Sequence, residues 1–252
     1  MIKSFLVVLS FISVIPVPKK FIPIWNADTL RYFCVMLPVA GIIFSFLWFI
    51  FWFMLCRLVM LSCLLRGFMM TVFTLALTGG LHMDGLMDTC DAIFSRRDRE
   101  TRLKILSDTH AGSFAVIGCV IIIMARTLLS TEIFSSGLQS DLQSASLAFI
   151  PAYSRLGMSL LLVNLGFAKD SGLAVMLGSS RNKRDNLALV IMLLLFSVFT
   201  SKVIPVIMIL FAIMWGKLCM KIFGGITGDL LGAFVELSEV IMLMGTVIMN
   251  CI

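Results

Sequence analysis

Residues 67–100 read GFMMTVFTLALTGGLHMDGLMDTCDAIFSRRDRE, an apolar run that passes into Asp84, Asp88 and Asp91 without a polar loop between. On a helix at about 100° per residue these three positions fall within roughly 60° of one another. Carboxylates on one stripe at the end of a membrane segment repel each other strongly in a low dielectric, so they persist together only against positive charge. A divalent cation supplies that charge most simply, which makes Asp84, Asp88 and Asp91 candidate metal ligands. The competing reading is a solvated helix end in a charged loop; the direct junction with the apolar run speaks against it. His82 is either a further ligand or a hydrogen-bonded structural residue.

The remaining composition is that of an integral membrane protein. Of 252 residues, 60% are hydrophobic and 13% charged, with a mean hydropathy of +1.07, whereas a soluble domain carries roughly 25% charged residues. The expected fold is an all-α polytopic membrane protein with one transmembrane domain over residues 1–252. Apolar runs near 32–56, 67–83, 111–129, 144–165, 187–200, 203–216 and 230–250 predict about seven spans. The runs 187–200 and 203–216 are two short spans or a single tilted one kinked at Pro205. Near the N-terminus, SFLVVLSFISVIPVP falls short of the ~20 residues a span needs. It lacks a small-residue cleavage site and ends at Pro16 and Pro18, so a retained re-entrant or interfacial helix is expected. The cysteines are scattered singly, without a CxxC pair or Cys/His cluster, and indicate neither a disulfide framework nor zinc.

Charge asymmetry orients the spans. The loop 92–108 carries Arg96, Arg97, Arg99, Arg102 and Lys104, and the loop 166–186 carries Lys169, Arg181, Lys183 and Arg184. The connection 130–142 carries Glu132 and Asp141 and no basic residue. The positive-inside rule puts the first two loops in the cytoplasm and the third outside, with Lys19, Lys20, Arg31, Lys217 and Lys221 inside; the short turn between Arg57 and Arg66 mildly disagrees. The arginine-rich loop is first an anchor of this kind and second a landing patch for an anionic substrate.

A second polar segment, GGITGDLLGAFVELSEV at 224–240, reaches the same side. Asp229, Glu236 and Glu239 lie within roughly 80° on a helix. Carboxylates at membrane depth face a bundle interior or a wet cavity, or pair with Arg126 or Arg155. Gly224, Gly225 and Gly228 allow close backbone approach to a bulky ligand or phosphate. Arg155, mid-span in PAYSRLGMSL, is a counter-ion or a phosphate ligand. Clustered acids with a divalent metal and nearby arginine suit pyrophosphate chemistry, because the metal neutralises charge and a spare carboxylate deprotonates an alcohol nucleophile.

The string GGLHMDGLMDTCDAIFSRRDR at 79–99 resembles the signature of the cobalamin synthase family, the adenosylcobinamide-GDP ribazoletransferases. FISVIPVP, LPVAG, SDTHAGSFAVIG, PAYSR and GGITGDLLGAFVELSE resemble further family segments in the same order. The resemblance implies transfer of the adenosylcobinamide phosphate group of adenosylcobinamide-GDP to α-ribazole or its 5′-phosphate. GMP is released and adenosylcobalamin or its phosphate forms. It also implies Mg2+ as the metal and a bacterial inner membrane location with the active site on the cytoplasmic side. Carried onto this chain, Asp84, Asp88 and Asp91 hold the metal, one of them serving as base. Asp108, Asp229 and Glu236 complete the site, with Gly225 and Thr227 in the same motif and His82 and Arg155 as further substrate contacts. Two positions depart from the family pattern. Its Thr-Arg before Pro-Val-Pro is Ser13-Val14 here, and its Arg in the 107–118 segment is His110, which either meets substrate phosphate or faces water beside a turn. The family's Gly-Leu-Gly region is only faintly kept in the loop 171–186.

The main rival is an ion-coupled transporter with carboxylates as cation sites, which predicts an inverted repeat that the sequence does not display. A phosphatidyl-alcohol transferase would need an Ala-Arg pair after Asp84-Gly85, and that pair is missing. The expected partners are the two substrates and the lipid bilayer, with no nucleic acid; a homo-oligomer is compatible with the sequence.

Overall fold

A computed structural model describes residues 1–18, 21, 26, 30–136, 141–178 and 181–251. The helices in chain order are α1 (Ile2–Ile12), α2 (Phe33–Arg57), α3 (Cys63–Thr78), α4 (Leu81–Phe94), α5 (Arg99–Ile105), α6 (Ser113–Ser136), α7 (Asp141–Ala148), α8 (Ile150–Asn164), α9 (Leu173–Gly178), α10 (Lys183–Phe199), α11 (Val203–Ile222) and α12 (Gly228–Cys251). Among the described residues the only β pairing is a single parallel bridge between Phe167 and Ile226. Lys19 and Lys20, expected in the cytoplasm, lie outside the described residues, as do the side chains of Asp141 and Lys183.

Among the described residues four helices, α2, α6, α11 and α12, are long and apolar enough to cross a membrane, and α3 with α4 makes up to five as one bent pair. The fold is the expected helical membrane architecture, but not every expected run is a full span. The run 144–165 divides at Phe149 into α7 and α8, with Pro151 in the first turn of α8 where a missing N–H costs nothing. The runs 187–200 and 203–216 are two helices, α10 ending at Phe199 and α11 beginning at Val203, with Pro205 in the first turn of α11. At the N-terminus α1 spans 11 residues and packs on α2.

The largest departure from the linear reading is the break between α3 and α4. Gly79 and Gly80 both adopt left-handed conformations, φ 62° and 76°, which side chains disfavour. The two helices therefore meet at 94°. The acid stripe is carried on its own helix and does not extend the apolar run.

Close helix approach shapes the bundle. In α2, Pro38 has no N–H for the Cys34 carbonyl, and Ser159 of α8 donates its hydroxyl to that oxygen at 2.7 Å. One turn on, a Cβ at Gly41 would lie 2.8 Å from Ala152 Cα, so α2 and α8 pack backbone to backbone. The same device joins α4 to α12. A Cβ at Gly85 would lie 2.8 Å from the Asp229 carbonyl oxygen, and one at Gly232 would lie 3.2 Å from the His82 carbonyl oxygen. Helix α12 packs against α4, α6, α8 and α11 and forms the centre of the molecule.

Candidate active site

The α4–α12 crossing brings the two acid motifs together. Thr227 caps α12, its hydroxyl accepting the Leu230 N–H at 3.3 Å and donating to Asp229 Oδ2 at 3.3 Å. The loop before it is held by the Phe167 bridge, in which Ile226 N–H donates to the Gly166 carbonyl at 2.9 Å and Ala168 N–H to the Ile226 carbonyl at 3.0 Å. Gly225 lies in this loop with its Cα against the Phe167–Ala168 backbone, where any side chain would collide. Its role is to let two loops pack.

A cavity of about 320 Å³ opens over this crossing. Asp84 and His82 line it from α4, Thr227 and Asp229 from the α12 N-terminus, and Lys169 and Ser107 from the loops above. Lys169 donates to the Ser107 hydroxyl at 2.6 Å, tying the loop after α8 to the one after α5. Asp88 sits one turn beyond Asp84, half-buried, within the electrostatic reach of Asp84, Asp229, Asp91 and Asp108. Neither Asp84 nor Asp88 has a hydrogen-bond partner among the described side chains.

Asp91 is placed differently. Its Oδ2 accepts the Gly112 N–H at 2.6 Å and its Oδ1 the Ala115 N–H at 2.9 Å. Both oxygens cap the start of α6, where unpaired N–H groups and the helix dipole favour an anion. A Cβ at Gly112 would lie 2.7 Å from the same carboxylate, so the glycine permits the contact.

Glu236 and Glu239, further along α12, are buried in an ionic cluster. Arg126 of α6 donates to Glu236 Oε2 at 2.7 Å and to Glu239 Oε2 at 3.0 Å. Arg155 of α8 pairs with Glu239 Oε1, which also accepts the Ser154 hydroxyl at 2.9 Å. The Arg155 guanidinium lies over the Phe44 ring at 4.9 Å. Two arginines and two glutamates balance, as burial requires. The cluster reaches the cavity through His82, which is 2% exposed and has Nδ1 at 3.5 Å from an Arg155 nitrogen. Arginine has only donors, so this approach makes Nδ1 the acceptor and leaves the ring proton on Nε2, which has no protein partner.

Asp108 and His110 stand outside the cavity wall. The His110 side chain is 90% exposed and its Nδ1 donates to Asp108 Oδ1 at 2.8 Å. That bond, with a second from the His110 N–H at 3.0 Å, holds the Asp108 carboxyl below the usual carboxylate range. The structure thus gathers Asp84, His82, Thr227 and Asp229 at one cavity with Asp88 beside it. Asp91, Arg155, Gly225 and Glu236 sit in packing or ionic contacts around it. Sequence alone reads Lys169 as one of the orienting charges of the loop 166–186 and does not mark Ser107; that the lysine faces an acid site is visible only once the loops are placed.

The donors suit a hard cation, since the free oxygens are carboxylates. Among the described residues no three His, Cys, Asp or Glu side chains converge closely enough to enclose a metal. Mg2+ bound by one or two carboxylates and completed by water and substrate phosphates needs no such cage.

The family model described as cobalamin-5-phosphate synthase matches residues 4–247. The chain belongs to this family. Among its relatives, adenosylcobinamide-GDP ribazoletransferase of Geobacillus sp. (strain WCH70) is 34% identical over 92% of this chain and 90% of its own length. The protein of that name from Clostridium perfringens (strain SM101 / Type A) is 32% identical over 97% of this chain and 98% of its own. The one from Escherichia coli (strain ATCC 8739) is 30% identical over 97% and 99%. No solved structure matches the chain. Membership of the cobalamin-5-phosphate synthase family favours a transferase over the ion-coupled transporter.

Proposed function

We propose that this chain is an adenosylcobinamide-GDP ribazoletransferase, the activity named for its relatives. The ribose hydroxyl of α-ribazole, or of its 5′-phosphate, forms a P–O bond to the cobinamide-side phosphorus of adenosylcobinamide-GDP. The P–O bond to GMP breaks, and the hydroxyl proton passes to a carboxylate of the site. The observation that carries this reading is the convergence of Asp84 and Asp229, from two distant motifs, with Lys169 on one cavity.

One or two of Asp84, Asp88 and Asp229 would hold Mg2+, which would supply charge neutralisation of the diphosphate when bound. Lys169 offers a mobile point charge to a phosphate oxygen, and His82 a neutral Nε2–H from the floor. Asp91 fixes α6 relative to α4, and the ionic cluster fixes α12. The cavity faces the cytoplasm across a bacterial inner membrane, a reading supported by the basic residues of loops 92–108 and 166–186.

The test is purified protein with adenosylcobinamide-GDP, α-ribazole and Mg2+, followed for GMP release. Turnover that is abolished by chelator and by Asp229→Asn supports the reading. No GMP release from the native protein refutes the activity, and turnover indifferent to chelator refutes the metal.

A further inference from the structure

Away from the acid cavity, a groove of about 680 Å³ runs between α8 and α11. Its apolar walls include Leu161 and Leu165 of α8 and Ile209 and Ala212 of α11. Gly216 leaves the groove open, since even a Cβ there would lie 3.1 Å from Leu165. The neighbouring face of α11 exposes Val206, Leu210, Ile213 and Met214, each by more than half its surface, as a helix facing hydrocarbon does.

The groove is polarised along its length. From Ile209 to Ala212 it is apolar, and at its other end stand Lys217 and Lys221, one turn apart, both exposed. Neither lysine has an ion-pair partner among the described residues, and no acidic residue lines the groove. The apolar stretch Ile209–Gly216 rises about 10.5 Å at 1.5 Å per residue, and the helix rises about 7.5 Å more to Lys221. One leaflet of the bilayer hydrocarbon is about 15 Å thick. A lipid with part of its acyl chain along the apolar stretch and an anionic head at the lysines fits within one leaflet and matches the charge.

We propose that this groove is a binding site for an anionic phospholipid, its acyl chain along Ile209–Gly216 and its phosphate between Lys217 and Lys221. The ammonium pair selects the headgroup, because a zwitterionic lipid presents its own cation to the same two positive charges. The groove floor selects for a chain only by burial, which is indifferent to the head.

The site lies close to the catalytic loops. Leu165, at its wall, directly precedes the 166–168 segment that bridges to Ile226, and α11 leads within six residues to Thr227. A lipid seated here braces the loop that carries Lys169 and the cap that carries Asp229.

The experiment is native mass spectrometry of the purified full chain with phosphatidylglycerol or phosphatidylcholine of matched acyl chains. The native protein is expected to retain phosphatidylglycerol over phosphatidylcholine by roughly thirtyfold, equivalent to about 2 kcal/mol for two lysines near a lipid phosphate. Lys217→Gln with Lys221→Gln, both exposed and harmless to packing, should bring the ratio within about threefold. Ala212→Leu should lower retention of both lipids by partly filling the groove. Equal retention by the native protein, or a preference untouched by the double substitution, overturns the proposal. So does a dimer that Ala212→Leu dissociates, which would assign the groove to a second copy of the chain.

Discussion

Replacing Asp91 and Asp84 separately by asparagine tests whether the acid stripe is one site or two devices. At Asp91 the carboxylate accepts two backbone N–H groups, at 2.6 and 2.9 Å, on the first turn of α6. Asparagine keeps the shape but turns one acceptor into a donor that faces an N–H. The loss is one charge-assisted hydrogen bond, about 1.5–3 kcal/mol, and the anion–dipole attraction at the helix start, about 0.3–1 kcal/mol. Because Asp91 is half-buried and water can replace part of this, the low end, about 2 kcal/mol, is expected. For a chain of this size that is a fall in Tm of roughly 4–8 °C. Asp84 is exposed on the cavity wall without a protein partner, so Asp84→Asn should leave Tm within a degree or two or raise it slightly as repulsion from Asp88 is relieved. Activity should split the opposite way: Asp84→Asn abolishes GMP release, and Asp91→Asn retains most of it well below its Tm. The pair of measurements is thermal unfolding in detergent and GMP release at low temperature. An Asp91→Asn protein of native stability and no activity would refute the capping role and return Asp91 to the metal.

Three further outcomes follow from the same geometry. Arg126→Leu leaves Glu236 as an unpaired charge in the bundle and should destabilise the protein by about 3–5 kcal/mol; a change under about 1 kcal/mol in detergent unfolding would show the cluster to be water-filled. Gly85→Ala forces α4 away from the Asp229 backbone, so it should cost about 1–3 kcal/mol and raise KM together with the fall in stability; a variant normal in both would mean the helices separate without consequence. Asp108, held low by His110, should titrate below free aspartate in carboxyl NMR and rise part of the way to the ordinary range in His110→Ala, which removes the ring contact and keeps the backbone N–H. Its depressed pKa means that its contribution to stability is present above the unfolded value and is lost as pH falls through the folded one. An unshifted Asp108 in the native chain would remove the His110 contact.

The chemistry of the site was more legible in the sequence than its geometry. Acids directly after an apolar run declare themselves by their cost, which is why Asp84, Asp88 and Asp91 stand out as candidates in the sequence, whereas Asp229 stands out by its helical spacing with Glu236 and Glu239. The pairing of Glu236 and Glu239 with Arg126 and Arg155 was readable as an alternative for the same reason, since buried charge needs a partner. The N–H contacts of Asp91 are not legible in the sequence, because backbone groups have no sequence identity. The 94° break was written in Gly79-Gly80, yet the hydrophobic signal ran smoothly past it to Leu81 and Met83 and hid it. The contact of α4 with α12 depends on Gly85 and Gly232 facing each other across about 150 residues, and nothing local encodes that. Lys169 enters the site only because the Phe167–Ile226 bridge carries its loop there.

The charge balance of the bundle leaves unmatched acids at the mouth of the cavity. Arg126 and Arg155 are consumed by Glu236 and Glu239, so neither arginine is free to neutralise the acids one to two turns nearer the surface. Asp91 is held by two N–H groups at the α6 N-terminus. Asp84, Asp88 and Asp229 are then left against one lysine, and that lysine is hydrogen-bonded to Ser107 rather than to any of them. Were Glu236 or Glu239 absent, an arginine would be released toward His82 and the cavity floor, and the case for a metal would weaken. The second acid motif therefore acts twice on one helix. Its first turn places Asp229 on the cavity, and its third engages both arginines and so leaves the cavity acids without an arginine partner.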